Sequence, residues 1–262
     1  ATGGVYSKLA EGFSNNYWRT QELSTDAVII PARDGNWDDG GQYRELHKHT
    51  WTPENQYVKE VWKWAYGGIN AVNSTMQMLE SAPASDVKEM KIAQIRYMKA
   101  LYYFFLMDIY GNVPILRTFG EKGKTNSRAE VFEYIEQELQ DIIQYLPTER
   151  TLENYARPTK WSAYALLAKM YVNAEIYTGS AKSNEAIAAC DAIINSGLFG
   201  LDDDYFSIFA PDNGSSGNAL NIKETIFAVW YDPYKSTGCL FSRFSLHPFM
   251  DLVGKYSLPY TY

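Results

Sequence analysis

The segment from Arg96 to Leu116 decides the fold class of this chain, and it reads RYMKALYYFFLMDIYGNVPIL. Eight consecutive residues in it, Ala100 to Met107, are apolar or aromatic. A helix that is apolar nearly all round must be buried by other protein elements, and this run is much shorter than the roughly 20 apolar residues of a membrane-spanning helix. Gly111 can take the left-handed conformation that ends a helix, and Pro114 cannot continue one. The segment therefore predicts a core helix that ends just after Tyr110.

Start and stop signals on both sides of this segment predict a succession of helices. Predicted starts are Val5, Thr52 followed by Pro53, Asp86 with Glu89, the capping box of Ser127 with Glu130, Thr159, and Ser183. Predicted ends are Phe13, Ser81, Tyr110, Pro147, Gly179 and Gly197. Residues 23–50 are expected to be mostly irregular, and a short strand is expected at Thr225 to Trp230 among loops that follow Gly197.

The spacing of small and large apolar residues indicates tetratricopeptide-like helix pairs, with chance matches by ordinary amphipathic helices as the alternative. The positions that match are Tyr164, Leu167, Ala168 and Tyr171 on one helix, Ala186, Cys190 and Ile193 on the next, and Ile135, Leu139, Ile142 and Pro147 before them. The predicted fold class is mainly all-α, with tetratricopeptide-like helical hairpins, long irregular loops and a few short strands. We expect one domain over residues 1–262, with a helical scaffold to about residue 200 and residues 201–262 as the irregular start of an incomplete C-terminal portion.

Composition and charge exclude several classes of function. The formal net charge is −7 and the pI is about 5.1, so no basic stripe is available to neutralise nucleic-acid phosphates. The pair His47-x-His49 lacks a third metal ligand at useful spacing, and Asp202 to Asp204 with Asp212 lack the EF-hand pattern, which favours a solvated acidic loop. No nucleophile elbow, phosphate loop or cysteine and histidine pairing occurs. We therefore expect no cofactor, no metal and no nucleic-acid partner.

Three segments together resemble the SusD/RagB family of outer-membrane lipoproteins. They are ALYYFFLMDIYGNVPIL at 100–116, AEVFEYIEQELQDIIQYLP at 129–147 and RPTKWSAYALLAKMYV at 157–172. The resemblance implies a tetratricopeptide-like scaffold that binds oligosaccharide or polysaccharide at the cell surface and catalyses no reaction. It also implies a SusC-like TonB-dependent transporter as partner and an outer-membrane location through a lipid anchor. This sequence does not include the N-terminal cysteine that carries the lipid in that family, so the anchor is expected from the resemblance.

Glycan recognition requires flat apolar side chains for the C–H faces of sugar rings and planar polar groups for the hydroxyls. Residues 26–55 concentrate that chemistry, and the candidate glycan-binding residues are Asp26, Arg33, Trp37, Asp38, Trp51 and Asn55. Four of them, Asp26, Arg33, Trp51 and Asn55, also resemble in type and approximate spacing the glycan-binding residues of the founding starch-binding member of the family.

Each candidate also has a structural alternative. Trp37 can be a packed anchor of the loop, and Asp38 can begin a turn because Asp-Gly and Gly-Gly follow it. Trp51 can staple the start of the next helix hydrophobically, and Asp26 can be a solvated turn residue. Two other functions remain open for the whole chain. One is a tetratricopeptide-type scaffold that binds a protein or peptide, and the other is a helical glycoside hydrolase with carboxylates brought together from distant positions.

Overall fold

A computed structural model describes residues 2–31, 39–210, 213 and 219–231 of the chain. The described part is mainly helical, which confirms the predicted fold class. The helices are α1 (Gly3–Gly12), α2 (Trp18–Glu22), α3 (Gln42–His47), α4 (Gln56–Glu80), α5 (Asp86–Tyr110), α6 (Arg128–Ile142), α7 (Lys160–Val172), α8 (Ala174–Thr178) and α9 (Ser183–Ile194). A π-helical turn (Phe13–Tyr17) joins α1 to α2, and 3-10 turns cover Ile143–Tyr145 and Tyr205–Phe209.

The chain divides into two compact units. Among the described residues, the first comprises residues 2–5 and 65–230, and we call it the hairpin unit. The second comprises residues 6–64 and Tyr231, and we call it the loop unit. The prediction of one domain over residues 1–262 stays a prediction, because one domain can contain two compact units.

Helix α5 forms the centre of the hairpin unit, as its sequence predicts. Every residue from Ala93 to Met107 except Arg96 is buried, including the polar Gln94 and Lys99. The helix ends at Gly111, which adopts a φ of 74° and donates its N–H to the Met107 carbonyl at 3.0 Å. A side chain is disfavoured at that φ, so glycine allows the reversal of the chain. The predicted core helix and its end are confirmed.

A second glycine allows helices α4 and α5 to approach each other closely. A Cβ placed on Gly68 of α4 would lie only 2.1 Å from Cζ of Tyr102 on α5. Only a residue without a side chain lets the Tyr102 ring lie against the α4 backbone at this position. The two long helices are therefore held together by a contact that depends on glycine.

Helical hairpins complete this unit. Helix α5 packs mainly on α6, and α7 packs mainly on α9. Strands β1 (Val113–Pro114) and β2 (Thr125–Asn126) pair antiparallel between α5 and α6. The predicted capping box of Ser127 and Glu130 is present at the start of α6, and Thr159 caps α7 as predicted.

The helix-pair spacing is mostly confirmed by burial. Leu167, Ala168 and Tyr171 of α7 are buried, as are Ala186 and Ile193 of α9. The inner position assigned to Cys190 is wrong, because its side chain is exposed and Ala189 is buried instead. A shift of one residue rotates a helical side chain by about 100°, since a turn has about 3.6 residues.

Other local predictions are also wrong. The helix that Thr159 caps was predicted to end near Gly179, but α7 ends at Val172 and α8 is a separate helix. Helix α4 begins at Gln56 rather than after Thr52, and the side chain that caps α5 is Ser85, not Asp86. Residues 225–230 contain no strand. Just before this segment, the Arg150 guanidinium donates to the backbone carbonyls of Leu220 and Ile222.

Candidate functional site

The loop unit has its own small core beneath the candidate residues. Leu23, Tyr43, Leu46 and Tyr57 are buried together, and the rings of Tyr43 and Tyr57 stack with centroids 4.6 Å apart. The Arg19 guanidinium lies 5.8 Å from the centroid of each ring. Burial raises the pKa of both phenols, so both stay neutral at physiological pH. This core gives the surrounding loop a fixed base.

Asn55 joins α3 to α4. Its Oδ1 accepts the backbone N–H groups of Tyr57 at 3.0 Å and Val58 at 3.4 Å, which makes it the cap of α4. Its Nδ2 donates to the Gln42 carbonyl at 3.2 Å and to Glu45 Oε2 at 2.9 Å. The residue is only 2% exposed. Both Oδ1 and Nδ2 of Asn55 thus have hydrogen-bond partners within the protein. In this conformation neither atom is available to a ligand.

Trp51 is a predicted site residue with access to solvent. Its side chain is 41% exposed. The ring packs on the ring of His49, with centroids 5.3 Å apart and an interplanar angle of 43°. A stapling tryptophan would be covered by the helix it fixes, so this exposure favours a binding surface over the alternative of a hydrophobic staple.

His49 connects the Trp51 segment to the turn that carries Asp26. Its Nε2–H donates to the Ser24 carbonyl at 2.8 Å, and its backbone has a φ of 55°. A positive φ is uncommon for a residue with a side chain and persists where the surrounding contacts hold it. The His47-x-His49 pattern was weighed only as a possible metal site, so this role of His49 was missed. The closeness of His49 and Trp51 in the sequence is only a weak sign of this role. The hydrogen bond to Ser24 joins residues 25 positions apart, and a local pattern does not predict it.

Asp26 lies on the exposed turn that His49 reaches. The hydrogen bonds of this turn come from its neighbours: Ser24 Oγ donates to the Gln21 carbonyl at 2.9 Å, and Thr25 Oγ1 donates to the Glu22 carbonyl at 2.7 Å. Within the described part of the chain the Asp26 carboxylate has no hydrogen-bond or ion-pair partner. Its oxygens are therefore accessible as acceptors.

The other three predicted residues, Arg33, Trp37 and Asp38, lie outside the described residues. The structure thus places Asp26 and Trp51 on connected, exposed segments and places Asn55 in a capping role. No group of three or more His, Cys, Asp or Glu side chains suited to a metal ion occurs among the described residues. Across the same residues, no helix is both long enough and apolar enough to cross a membrane.

Comparison with known proteins gives consistent matches. Residues 4–172 match the model of the SusD-like family, described as starch-binding and associating with the outer membrane. The chain is 25% identical over 226 residues to the starch-binding protein SusD of Bacteroides thetaiotaomicron, and this alignment covers 86% of the chain and 39% of that protein.

Solved structures share the fold. The surface glycan-binding protein A of Bacteroides thetaiotaomicron, in complex with laminarihexaose, superposes with a TM-score of 0.70 at 22% identity, over 87% of this chain and 48% of that one. A laminarin-binding SusD-like protein gives a TM-score of 0.69 at 23% identity, over 81% and 47%. The chain therefore spans less than half the length of each of these three relatives.

Proposed function

This chain belongs to the SusD-like family, described as starch-binding and associating with the outer membrane, and we propose that it binds oligosaccharide or polysaccharide without catalysis. The relative in Bacteroides thetaiotaomicron is named for starch binding, and a structural neighbour is named for laminarin binding. The proposed ligand class for this chain is accordingly a neutral glucan or a related glycan.

The observation that carries the proposal is the exposed Trp51 ring, supported by His49 and connected to the turn of Asp26. An exposed indole face can pack against the C–H face of a pyranose, and a nearby carboxylate can accept bonds from sugar hydroxyls. The proposed contact residues are Asp26 and Trp51, together with Arg33, Trp37 and Asp38 of the same loop. Asn55 serves this site by fixing α3 against the start of α4 rather than by touching the glycan.

We propose that the protein takes part in glycan uptake. The family description places its members at the outer membrane, and the proposed partner is a SusC-like TonB-dependent transporter that receives the captured glycan. The proposed location is the cell surface, as a lipoprotein. A chain that only captures and delivers glycan needs an accessible binding face, and it needs no paired acid and base beside the sugar.

Calorimetric titration of the 262-residue chain with amylose and laminarin fragments tests the proposal. We expect binding to at least one of them, and a loss of about tenfold or more in affinity for Trp51→Ala. Tyr145→Ala is the matched control, because Tyr145 is another exposed aromatic residue but lies in the hairpin unit. No binding to any fragment, or equal loss in the two variants, contradicts the proposed site. Release of shorter products during long incubation contradicts the non-catalytic assignment.

A further inference from the structure

A cleft of about 310 Å³ opens in the hairpin unit, and all of its lining residues belong to that unit. Its walls come from the C-terminal part of α4, from α5, from the loop after β1 and from Glu138 of α6. The volume lies at the lower end of the range for small-ligand sites, which begins at roughly 300 Å³. Neither the matched family description nor the aromatic loop of residues 26–55 accounts for this cleft.

Lys99 is the unusual group in the cleft. Its side chain comes from the most buried part of α5, and the residue is only 6% exposed. The Nζ atom donates to the Arg117 carbonyl at 2.7 Å, and within the described part of the chain no carboxylate lies within ion-pair distance of it. Burying a cation without a counter-ion costs free energy. An anionic ligand beside Nζ would remove that cost.

The carboxylates around Lys99 are occupied by other groups. Glu138 pairs with Arg96 at 2.8 Å, and Asp141 pairs with the same guanidinium at 3.2 Å. Glu121 accepts the backbone N–H groups of Arg117 and Thr118 at 2.7 and 2.9 Å. Glu80 on α4 is exposed at the rim. The cleft thus has more cations than carboxylates in its lining, on a chain whose net charge is −7.

Neutral groups of the cleft suit a sugar ring. Asn73 is 4% exposed, and its Nδ2 donates to the Leu116 carbonyl at 3.2 Å. Its Oδ1 is buried without a hydrogen-bond partner in the described structure, which is costly unless a donor such as a hydroxyl approaches when a ligand binds. Phe119 is 59% exposed and presents an apolar ring at the edge of the cleft. Gln77, also exposed, adds both a donor and an acceptor.

We infer that this cleft is a second saccharide subsite that binds a sugar unit bearing a carboxylate, as in a uronic acid. The carboxylate contacts Nζ of Lys99, the ring lies against Phe119, and a hydroxyl donates to Oδ1 of Asn73. The inference rests on the proposed function only in taking a saccharide as the ligand class. It extends that function from neutral glycans to acidic ones.

The charge of Lys99 gives the subsite a defined pH dependence. Burial lowers the pKa of its amine to about 8, against opposing contributions from Glu138 and Glu121 and in the same direction as the nearby Arg117 and Arg96. Glu80 also faces the cleft from α4. The amine is charged below its pKa and neutral above it, whereas a uronic carboxylate is ionised throughout this range. Affinity for the acidic sugar therefore falls as the pH rises through about 8.

The test is calorimetric titration of the 262-residue chain with trigalacturonate, its neutral counterpart galactotriose, and sodium sulfate. We expect trigalacturonate to bind at about pH 6.5 and to bind about tenfold more weakly at about pH 9.5, where most of the Lys99 amine is neutral. Lys99→Met and Phe119→Ala are each expected to weaken this binding by about tenfold or more. Lys122→Met removes the same charge from an exposed position outside the cleft, and we expect it to change the affinity by less than about twofold.

Several outcomes would overturn the inference. Equal affinity for galactotriose excludes the role of the carboxylate, and equal affinity for sulfate ion alone excludes the role of the sugar. If Lys99→Met fails to fold, the Phe119→Ala variant and the pH profile decide. Trp51→Ala separates the two sites, because it should weaken neutral-glucan binding by about tenfold or more and leave trigalacturonate binding unchanged.

Discussion

The hairpin unit and the loop unit differ in how far their side chains are buried. In the hairpin unit, α5 is buried on all sides over most of its length. Few substitutions of its buried side chains can therefore be accommodated without loss of packing. In the loop unit, a small tyrosine core supports segments whose side chains remain accessible, including Trp51 and Asp26. A dense helical scaffold supplies most of the stability, because burial of apolar area is the main favourable contribution to folding. Recognition can then be assigned to exposed loops at little cost to the fold.

The largest expected effect on stability is a truncation in α5. Leu106 is fully buried, and Leu106→Ala should lower the free energy of unfolding by about 2–5 kcal/mol, because it removes buried methyl groups and leaves a cavity. Leu152→Ala is the matched control, since Leu152 is exposed and we expect a change within about 0.5 kcal/mol. Urea unfolding followed by circular dichroism measures both. Similar losses in the two variants would contradict the described burial.

A smaller effect is expected where α4 and α5 approach closely. Gly68→Ala places a Cβ against the Tyr102 ring, and we expect a loss of about 1–3 kcal/mol from the displacement of that ring. Gly67→Ala is the control, because nothing lies within 4 Å of a Cβ at that position. Alanine is the better helix former, so this variant should gain about 0.5–1 kcal/mol. Thermal unfolding should therefore show a lower Tm for Gly68→Ala and a higher Tm for Gly67→Ala. A higher Tm in both variants would contradict the close packing of Tyr102 on Gly68.

The smallest expected effect on stability lies in the loop unit. Asn55→Ala removes the cap of α4 and the bonds to Gln42 and Glu45, and we expect a loss of about 0.5–2 kcal/mol. Thr52→Ala is its control, because Thr52 lies outside the first turn of α4 and its replacement should change stability by less than about 0.5 kcal/mol. Glycan titration of the folded Asn55→Ala protein sharpens the comparison. If only affinity fell, with no change in stability, Asn55 would be a ligand contact.

Local signals in the sequence were sufficient for the scaffold. The apolar run of α5 and the pair Ser127 and Glu130 predict elements that the structure contains, because each depends on residues within one or two turns of the chain. The start of α4 was predicted wrongly for a related reason. Both Thr52 and Asn55 are good caps, and the choice of Asn55 depends on the additional bonds that its amide makes with α3.

The candidate site was predictable only in part. The composition of residues 26–55 pointed to an aromatic and polar surface, yet it could not distinguish an exposed Trp51 from a stapling one or identify Asn55 as a cap. The support that His49 gives to Trp51 depends on a hydrogen bond to Ser24, far away in the sequence. Exposure and long-range hydrogen bonds depend on which distant segments meet, and local residue patterns carry no information about that.

By itself the sequence determined the mainly all-α class, the buried α5 helix with its glycine end, and the starts of α6, α7 and α9, because hydrophobic periodicity and capping act between residues close in the chain. Only the tertiary structure decided which aromatic rings remain exposed, which amide is consumed as a cap, and that Lys99 is buried beside a cleft without a carboxylate partner in the described part of the chain. Those properties arise from packing between distant helices and loops. The desolvation and pairing of a charge are fixed by that packing, not by the neighbours of the residue in sequence.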